Sequence, residues 1–438
     1  MATPDLSAIR RLFADAGCHR LLAKPLAEND NSKNQVYFGP DFVALNLIPN
    51  RGVRPDGGNK TLKAALDFEW LDAEGGRHPA PRAQLVLYPQ YPEVRFSGFL
   101  LGCRGGPNAV MAPRLLNRVL FLGLRADGGV LGHVVRASAQ WIEAVARRAA
   151  GMVGVFHDFP VGKEVHGLAA KPLLVEKLGK IHGKGWIDSR KLTTDGQSEP
   201  CNAPNCGGFT LEAELGIRPN SNPAGDYLGW ELKQHAVTDF GRMASGAVTL
   251  MTPEPTEGYY SDKGVERFIR KYGYADQRRS DRLNFGGIHK VGAPCSATGL
   301  TLSLDGFKAC DWRKTDIKRG GIELVSSAGV VAARWPFQAL MEHWQRKHAL
   351  ATYIPSIVRE QPKRQYAYGH TVHMGEGTDF FLLLRALSAG DVYYDPGIKL
   401  EAASSTAPRL KRRSQFRIQF KRLGILYRRY EAVGVASR

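Results

Sequence analysis

The stretch Gly225-Asp226-Tyr227-Leu228-Gly229-Trp230-Glu231-Leu232-Lys233 decides how this chain reads. Residues two apart on a strand share a face, so Glu231 and Lys233 project together while Leu232 turns into a core. Gly229 permits a sharp bend just before them. With Asp226 at the end of a preceding strand, its carboxylate can meet that of Glu231 and hold a hard divalent cation that keeps most of its waters, the usual manner of binding Mg²⁺. Lys233 then stands where a cation can orient an attacking water and stabilise charge developing on a phosphate. Taken alone, an Asp, four residues and then Glu-x-Lys equally describes a solvated ion-pair face.

Other blocks stand around this stretch in a fixed order. They are Gly185-Trp186-Ile187-Asp188-Ser189, Gly207-Gly208-Phe209-Thr210-Leu211-Glu212 at the start of a helix, Tyr394-Asp395-Pro396-Gly397-Ile398-Lys399, and Arg412-Arg413-Ser414-Gln415-Phe416-Arg417. Together they resemble the MvaI/BcnI restriction endonucleases over roughly residues 170–438. The resemblance implies an α/β domain of the PD-(D/E)XK restriction-endonuclease-like fold, a mixed sheet flanked by helices. It also implies Mg²⁺-dependent hydrolysis of DNA phosphodiesters at a short GC-rich site of the CCWGG or CCSGG kind. Carried over residue by residue, Asp226 and Glu231 are metal ligands, Lys233 the water-positioning cation and Glu212 an auxiliary carboxylate. Glu214 is the rival of Glu212, and only one of the two can face the metal. Gly225 stands where the formal signature of the fold has proline.

Basic residues dominate the C-terminal region. From Lys399 to Arg429 ten lysines and arginines face the single acid Glu401, which accounts for half of the chain's net charge of +18. Phe416, Ile418 and Phe420 alternate with Gln415, Arg417 and Gln419, so a strand would bury the first set and present the second. Arginine and glutamine are side chains that read base edges in two-pronged fashion. This makes Gln415 and Arg417, with Lys399, Arg412 and Arg413, the expected DNA contacts of this region, and Arg428 and Arg429 a nonspecific phosphate clamp. A second basic region, Lys263 to Lys290, interleaves arginines with Phe268, Tyr272, Tyr274 and Phe285, aromatics that read mainly as core. His370 and His373, between Gly369 and Gly375, read as a loop able to reach a groove. His343, His348 and His289 read as structural groups or DNA contacts.

The first part of the chain differs. Short apolar runs at Phe42 to Ile48, Ala65 to Leu71, Gln84 to Tyr88, Val94 to Leu101, Val119 to Leu124 and Val130 to Val135 alternate with glycine-rich turns, the pattern of a small all-β barrel. Leu6, Ile9, Leu12 and Phe13 mark a helix before it, and Ala137 to Ala150 a helix after it. The polar stretch holding Lys24, Asn29, Asp30, Lys33, Asn34 and Gln35 reads as a recognition loop, or as an Asn-rich turn. With Arg95 and Arg104 it resembles the effector-binding N-terminal domain of EcoRII, a DNA-binding pseudobarrel shared with plant B-three transcription factors. The expected organisation is multidomain, with residues 1–160 as pseudobarrel and 161–438 as nuclease.

With 438 residues, 43% hydrophobic and 23% charged, the chain has apolar material for real cores, and neither disorder nor one small module describes it. Its apolar runs are far shorter than the roughly 20 residues of a membrane span, and its N-terminus lacks the pattern of a signal peptide. Six scattered cysteines, Cys201 and Cys206 among them, read as reduced thiols of a prokaryotic cytoplasm. The partners expected are double-stranded DNA, two duplexes at once if the first domain takes an effector copy, and a companion DNA methyltransferase in the cell. The protein itself is expected to be a monomer. Two other classes fit the same features less fully: a catalytically silent DNA reader and a Mg²⁺-dependent repair nuclease.

Overall fold

A computed structural model describes the chain except for residues 1–3, 41–42, 57–60, 89–92, 162–165, 220–225, 243–245, 312–313 and 436–438, and the side chains of 342–343 and 345–347. Gly225, the side chain of His343 and part of the boundary expected near residue 160 lie outside the described residues. By density of contacts the chain divides into one unit of residues 1–240, 345–378 and 429–438, and a second of 241–344 and 379–428. None of the helices among the described residues is long and apolar enough to cross a membrane.

The first unit begins with the helix Leu6–Asp15, capped by Asp5, whose carboxylate accepts from the Ser7 amide at 2.9 Å. Leu6, Ile9 and Phe13 are its buried face, at the spacing that the sequence shows. Two sheets follow. In the seven-stranded one, Cys18–Leu26 lies between Phe156–Pro160 and Arg118–Arg125, which is followed by Val130–Arg136. The five-stranded one centres on Gln84–Tyr88 and Glu93–Ser97. Rings fill the space between them: Phe96 stacks on Phe38 at 5.2 Å and meets Phe68 edge-on at 5.1 Å, and Phe38 meets Phe156 at 5.0 Å. Gly132 is required there, since a Cβ would come within 2.3 Å of the Phe68 ring. The run expected as a strand from Phe42 to Ile48 is instead the helix Val43–Leu47, buried on nearly every side, and an unbroken apolar run carries no period to separate the two structures.

Within the same unit a second core gathers Leu174, Leu178 and Ile181 of the helix Lys171–Gly183 with Leu211, Trp230, Leu232, Tyr366, Tyr368 and Met374. Its sheet is mixed. Glu231–Ala236 runs parallel to Leu350–Arg359, whose other edge pairs antiparallel with Gln365–Tyr368 and Thr371–Glu376. Cys201 and Cys206 are joined in a disulfide across a turn with Cα atoms 5.7 Å apart, which corrects the expectation of reduced thiols for this pair, while Cys18, Cys103, Cys295 and Cys310 are free. The spacing of five residues hides this pairing because only the turn at Ala203, whose amide lies 2.9 Å from the Cys206 sulfur, brings the two together.

Among the described residues the second unit holds three small sheets. One is ordered Ala247–Met251, Phe416–Gln419, Val392–Tyr394, and its core is aromatic: Trp335 meets Tyr394 at 4.8 Å and Phe416 at 5.3 Å. Phe268, Tyr272 and Phe285 are buried, as read from the sequence, while Tyr274 keeps 38% of its surface. His289 is fully buried, its Nδ1 3.0 Å from the Gly287 carbonyl and its Nε2 2.8 Å from the Thr298 hydroxyl. Burial pushes its pKa down from 6.5 to about 4. Between those values the unfolded chain binds a proton that the folded chain refuses, so the stability contributed here falls as pH drops from 6.5 towards 4. His289→Gln is therefore expected to flatten the acid limb of urea stability measured across that window, and an unaltered slope would show that the neutral imidazole is not what acid attacks.

Candidate functional site

A two-residue reverse turn organises the decisive stretch. The Tyr227 amide donates to the Trp230 carbonyl at 3.0 Å and the Trp230 amide to that of Tyr227 at 2.9 Å. The residues between, Leu228 and Gly229, both have positive φ, 50° and 88°, the conformation that matches a hairpin's twist. Asp226 thus sits at the mouth of this turn rather than at the end of a described strand. Its Oδ2 accepts from the Leu232 amide at 2.9 Å, which fixes the carboxylate beside the first residues of the Glu231–Ala236 strand. Trp230, fully buried, anchors the turn by donating Nε1 to the Gly167 carbonyl at 2.8 Å.

Beyond the turn, Lys233 Nζ lies 3.0 Å from Glu231 Oε1, and both side chains are largely buried. Leu232 goes the other way, into the core, as the alternation requires. The helix Cys206–Glu214 packs against this strand at Gln234, where a Cβ on Gly207 would come within 2.9 Å of the carboxamide. Its two acids separate. Glu214 binds Arg190 at 2.5 Å and Lys184 at 2.6 Å with its side chain 2% exposed, so its charge is spent on the fold. Glu212, two positions earlier and roughly 200° around the helix, is half-buried on another face. Among the described residues no group of three or more His, Cys, Asp and Glu side chains stands close enough to hold a metal by itself.

The histidines expected in one loop are split. His370 is exposed in the two-residue break between Gln365–Tyr368 and Thr371–Glu376, while His373 lies within the latter strand, stacked on Tyr430 at 5.5 Å, and burial lowers its pKa. Sheet register puts His373 opposite Tyr353, which is in turn opposite Lys233. The flanking glycines suggested a loop, and cross-strand pairing overrode them. Sequence reasoning missed Lys171, which reaches Glu376 at 2.6 Å and also Glu431, partners 205 and 260 positions away that no local pattern announces. In the second unit, Phe416, Ile418 and Phe420 are buried and Gln415, Arg417 and Gln419 face outward, as expected. Arg417 is held by Asp395 at 2.7 Å and by the Ala247 carbonyl at 3.0 Å. Lys399, Arg412 and Arg413 are exposed, Lys399 directly across from Lys411.

Residues 175–427 match the MvaI/BcnI restriction endonuclease family. The chain belongs to that family. Among solved structures, the complex of restriction endonuclease MvaI with its cognate DNA substrate is similar at 18% identity and a TM-score of 0.45, over 61% of this chain and 98% of MvaI. MvaI in the absence of DNA is similar at 18% identity and a TM-score of 0.34, over 60% of this chain and 97% of that one. The B3 domain of the UbaLAI restriction endonuclease with cognate DNA is similar at 15% identity and a TM-score of 0.24, over 35% of this chain and 99% of that domain. No curated protein matches the chain in sequence.

Outside the segment matched to the MvaI/BcnI family, the polar stretch after Lys24 borders a cleft of about 920 Å³. Asn29, Lys33, Asn34, Gln35, Arg95 and Arg114 line it, whereas Arg104 is exposed elsewhere. Lys24 and Asp30, expected as DNA contacts, border the cleft too, but they are 6% and 5% exposed and paired with each other at 2.9 Å. Asp30 also accepts from the Ala27 amide at 3.0 Å and the Tyr37 amide at 2.9 Å, so it is the staple of the loop. Buried charge pairs of this kind cost about 3–5 kcal/mol when one member is removed. Asp30→Ala is accordingly expected to destabilise the N-terminal sheets by about that much, and by more than Lys24→Met does, because it loses the two amides as well. Hydrogen exchange across residues 18–38 reports this. A residue that served only to contact DNA would leave exchange unchanged.

Proposed function

We propose that this member of the MvaI/BcnI family is a type II restriction endonuclease that cuts double-stranded DNA at a short GC-rich site of the CCWGG or CCSGG kind, with Mg²⁺ as cofactor. The observation that carries the reading is the joint placement of Asp226, Glu231 and Lys233 by one reverse turn and one strand. Two carboxylates of hard oxygen character suit Mg²⁺ better than a softer ion, since Mg²⁺ is usually bound by one or two carboxylates and completed by waters and substrate phosphate. Asp226 and Glu231 would hold the ion. When bound it would act as Lewis acid and template for the scissile phosphate.

The chain's own residues then divide the remaining work. Glu231 holds the Lys233 ammonium in place. Lys233 orients the attacking water and offsets negative charge that grows on the phosphoryl oxygens. Leu232 fixes the Asp226 carboxylate through its amide, so little reorganisation is left for the reaction. Glu212 serves as the auxiliary carboxylate. Gln415 presents its carboxamide as a base reader, with Arg417 beside it in an orientation set by Asp395. Lys399, Arg412 and Arg413 add phosphate contacts, and His370 a contact at the edge of the sheet.

In this reading the N-terminal sheets form a DNA-binding pseudobarrel whose cleft takes a second duplex through Asn29, Lys33, Asn34, Gln35 and Arg95. The protein works as a cytoplasmic monomer in a prokaryote whose methyltransferase shields the host's own sites. Incubating the full chain with plasmid and Mg²⁺ and sequencing the ends tests this. Cleavage should occur at one short sequence and stop when the ion is chelated. Lys233→Ala should lower the rate on the order of 10²–10³-fold, the usual cost of removing one preorganised charge-stabilising donor, while gel-shift affinity persists. Undiminished cutting by Asp226→Ala would remove the proposed metal site.

A further inference from the structure

Arg118 is fully buried in the N-terminal sheets, at 0% exposure, and among the described residues no carboxylate lies at salt-bridge distance from it. Its guanidinium is surrounded by main-chain carbonyls. It donates to Leu115 at 2.8 Å, Val110 at 3.1 Å and Pro113 at 3.4 Å on one side, and to Ala27 at 2.9 Å and Glu28 at 3.3 Å on the other. These two segments are the shoulders of the cleft: Ala27, Asn29 and Lys33 come from the first and Arg114 from the second. A second tether, from the Ser32 amide to the Met111 carbonyl at 3.2 Å, joins the same two segments.

Burying a guanidinium is costly, and burial lowers the pKa of Arg118; the charge of Asp30 opposes that shift, and the like charge of Arg136, directly opposite in the sheet, adds to it. Besides Asp30, the carbonyl shell offsets the cost. The carbonyls of Glu28, Pro113 and Leu115 lie in loops with no ladder to join and that of Val110 at the end of the short helix Asn108–Met111, positions where a carbonyl needs a donor, while that of Ala27 also accepts from the Asp30 amide at 3.0 Å. Only arginine presents five donors in a rigid planar fork, so lysine cannot satisfy both segments at once. The fork also continues into the loop's own staple, because the amide of Ala27 is held by Asp30.

We propose that Arg118 is a positioning residue that sets the separation of the two shoulders of the cleft, and through it the cleft's discrimination between duplexes. The proposal rests on the reading of this cleft as a duplex-binding site. Attraction between surface lysines or arginines and phosphates depends on charge and tolerates small displacements. Two-pronged contacts with base edges do not, since they need groups held within about 0.5 Å of their productive positions. Loosening the fork should therefore cost selectivity before it costs general affinity.

The test uses the full chain and hydrogen exchange in peptides covering residues 27–35 and 110–116, which report occupancy of this cleft rather than of the nuclease site. The probes are short duplexes carrying CCTGG or CCCGG and duplexes of the same composition with those positions scrambled. In the unmodified chain, protection of both peptides should saturate at lower concentration with one of the specific duplexes than with its scrambled partner. In Arg118→Lys, that duplex should need on the order of ten-fold more to reach half protection, the scrambled one should shift by less than about two-fold, and both peptides should exchange faster without DNA. Unchanged exchange and unchanged selectivity in Arg118→Lys would overturn the positioning role and leave the DNA-binding reading intact. Absence of protection by any duplex in the unmodified chain would overturn that reading, and the proposal with it. Should Arg118→Lys fail to fold, native-state exchange of the unmodified chain in low urea decides: the fork requires the two segments to open in one step, and independent opening contradicts it.

Discussion

The hydrogen bond from the Leu232 amide to the Asp226 carboxylate is the constraint on which the proposed chemistry depends. It closes a ring through the left-handed Leu228-Gly229 turn and converts neighbours in sequence into neighbours in space. Trp230 secures that ring from beneath by its bond to Gly167, while the parallel pairing with Leu350–Arg359 extends the strand on which Glu231 and Lys233 stand together. An acid, a second acid and an ammonium thereby share a small region, and in the proposed reaction none of the three has to be recruited when substrate arrives.

Around this centre the protein commits its other charges to holding the scaffold. Glu214 is taken by Lys184 and Arg190, and Lys171 gathers Glu376 and Glu431 from two adjacent strands. Asp30 and Lys24 do the same for the polar loop of the N-terminal sheets, and Arg118 does so with carbonyls instead of carboxylates. The side chains of Glu214, Lys24, Asp30 and Arg118 are buried in these contacts, and the exposed Asn29 and Lys33 stand on the loop that Lys24 and Asp30 hold. A net charge of +18 is thus a poor guide to which cation would meet DNA, because much of the basic complement faces carboxylates of the same fold.

Much of this was legible in the sequence where a period or a turn residue spoke for itself. The alternation from Gln415 to Phe420, the helix through Leu6, Ile9 and Phe13, and the opposed directions of Leu232 and Lys233 follow from spacing alone. The family was legible because separated blocks kept their order, and the match over residues 175–427 bears it out. What stayed hidden was decided by long-range packing. Val43–Leu47 lacked a period, the Cys201–Cys206 disulfide needed a turn seen only in three dimensions, and His373 was drawn into a sheet despite its glycine neighbours. Lys24 and Asp30 looked like DNA contacts because polar loop residues are the commonest readers, and burial shows them as the loop's own support.

The most direct test of the account is an anomalous-difference map from crystals of the full chain grown with a cleavable duplex and Mn²⁺ in place of Mg²⁺. The account predicts a peak in direct coordination with carboxylate oxygens of both Asp226 and Glu231 and with a phosphate of the duplex. A peak that touches neither carboxylate, with the scissile phosphate bound elsewhere, would contradict it.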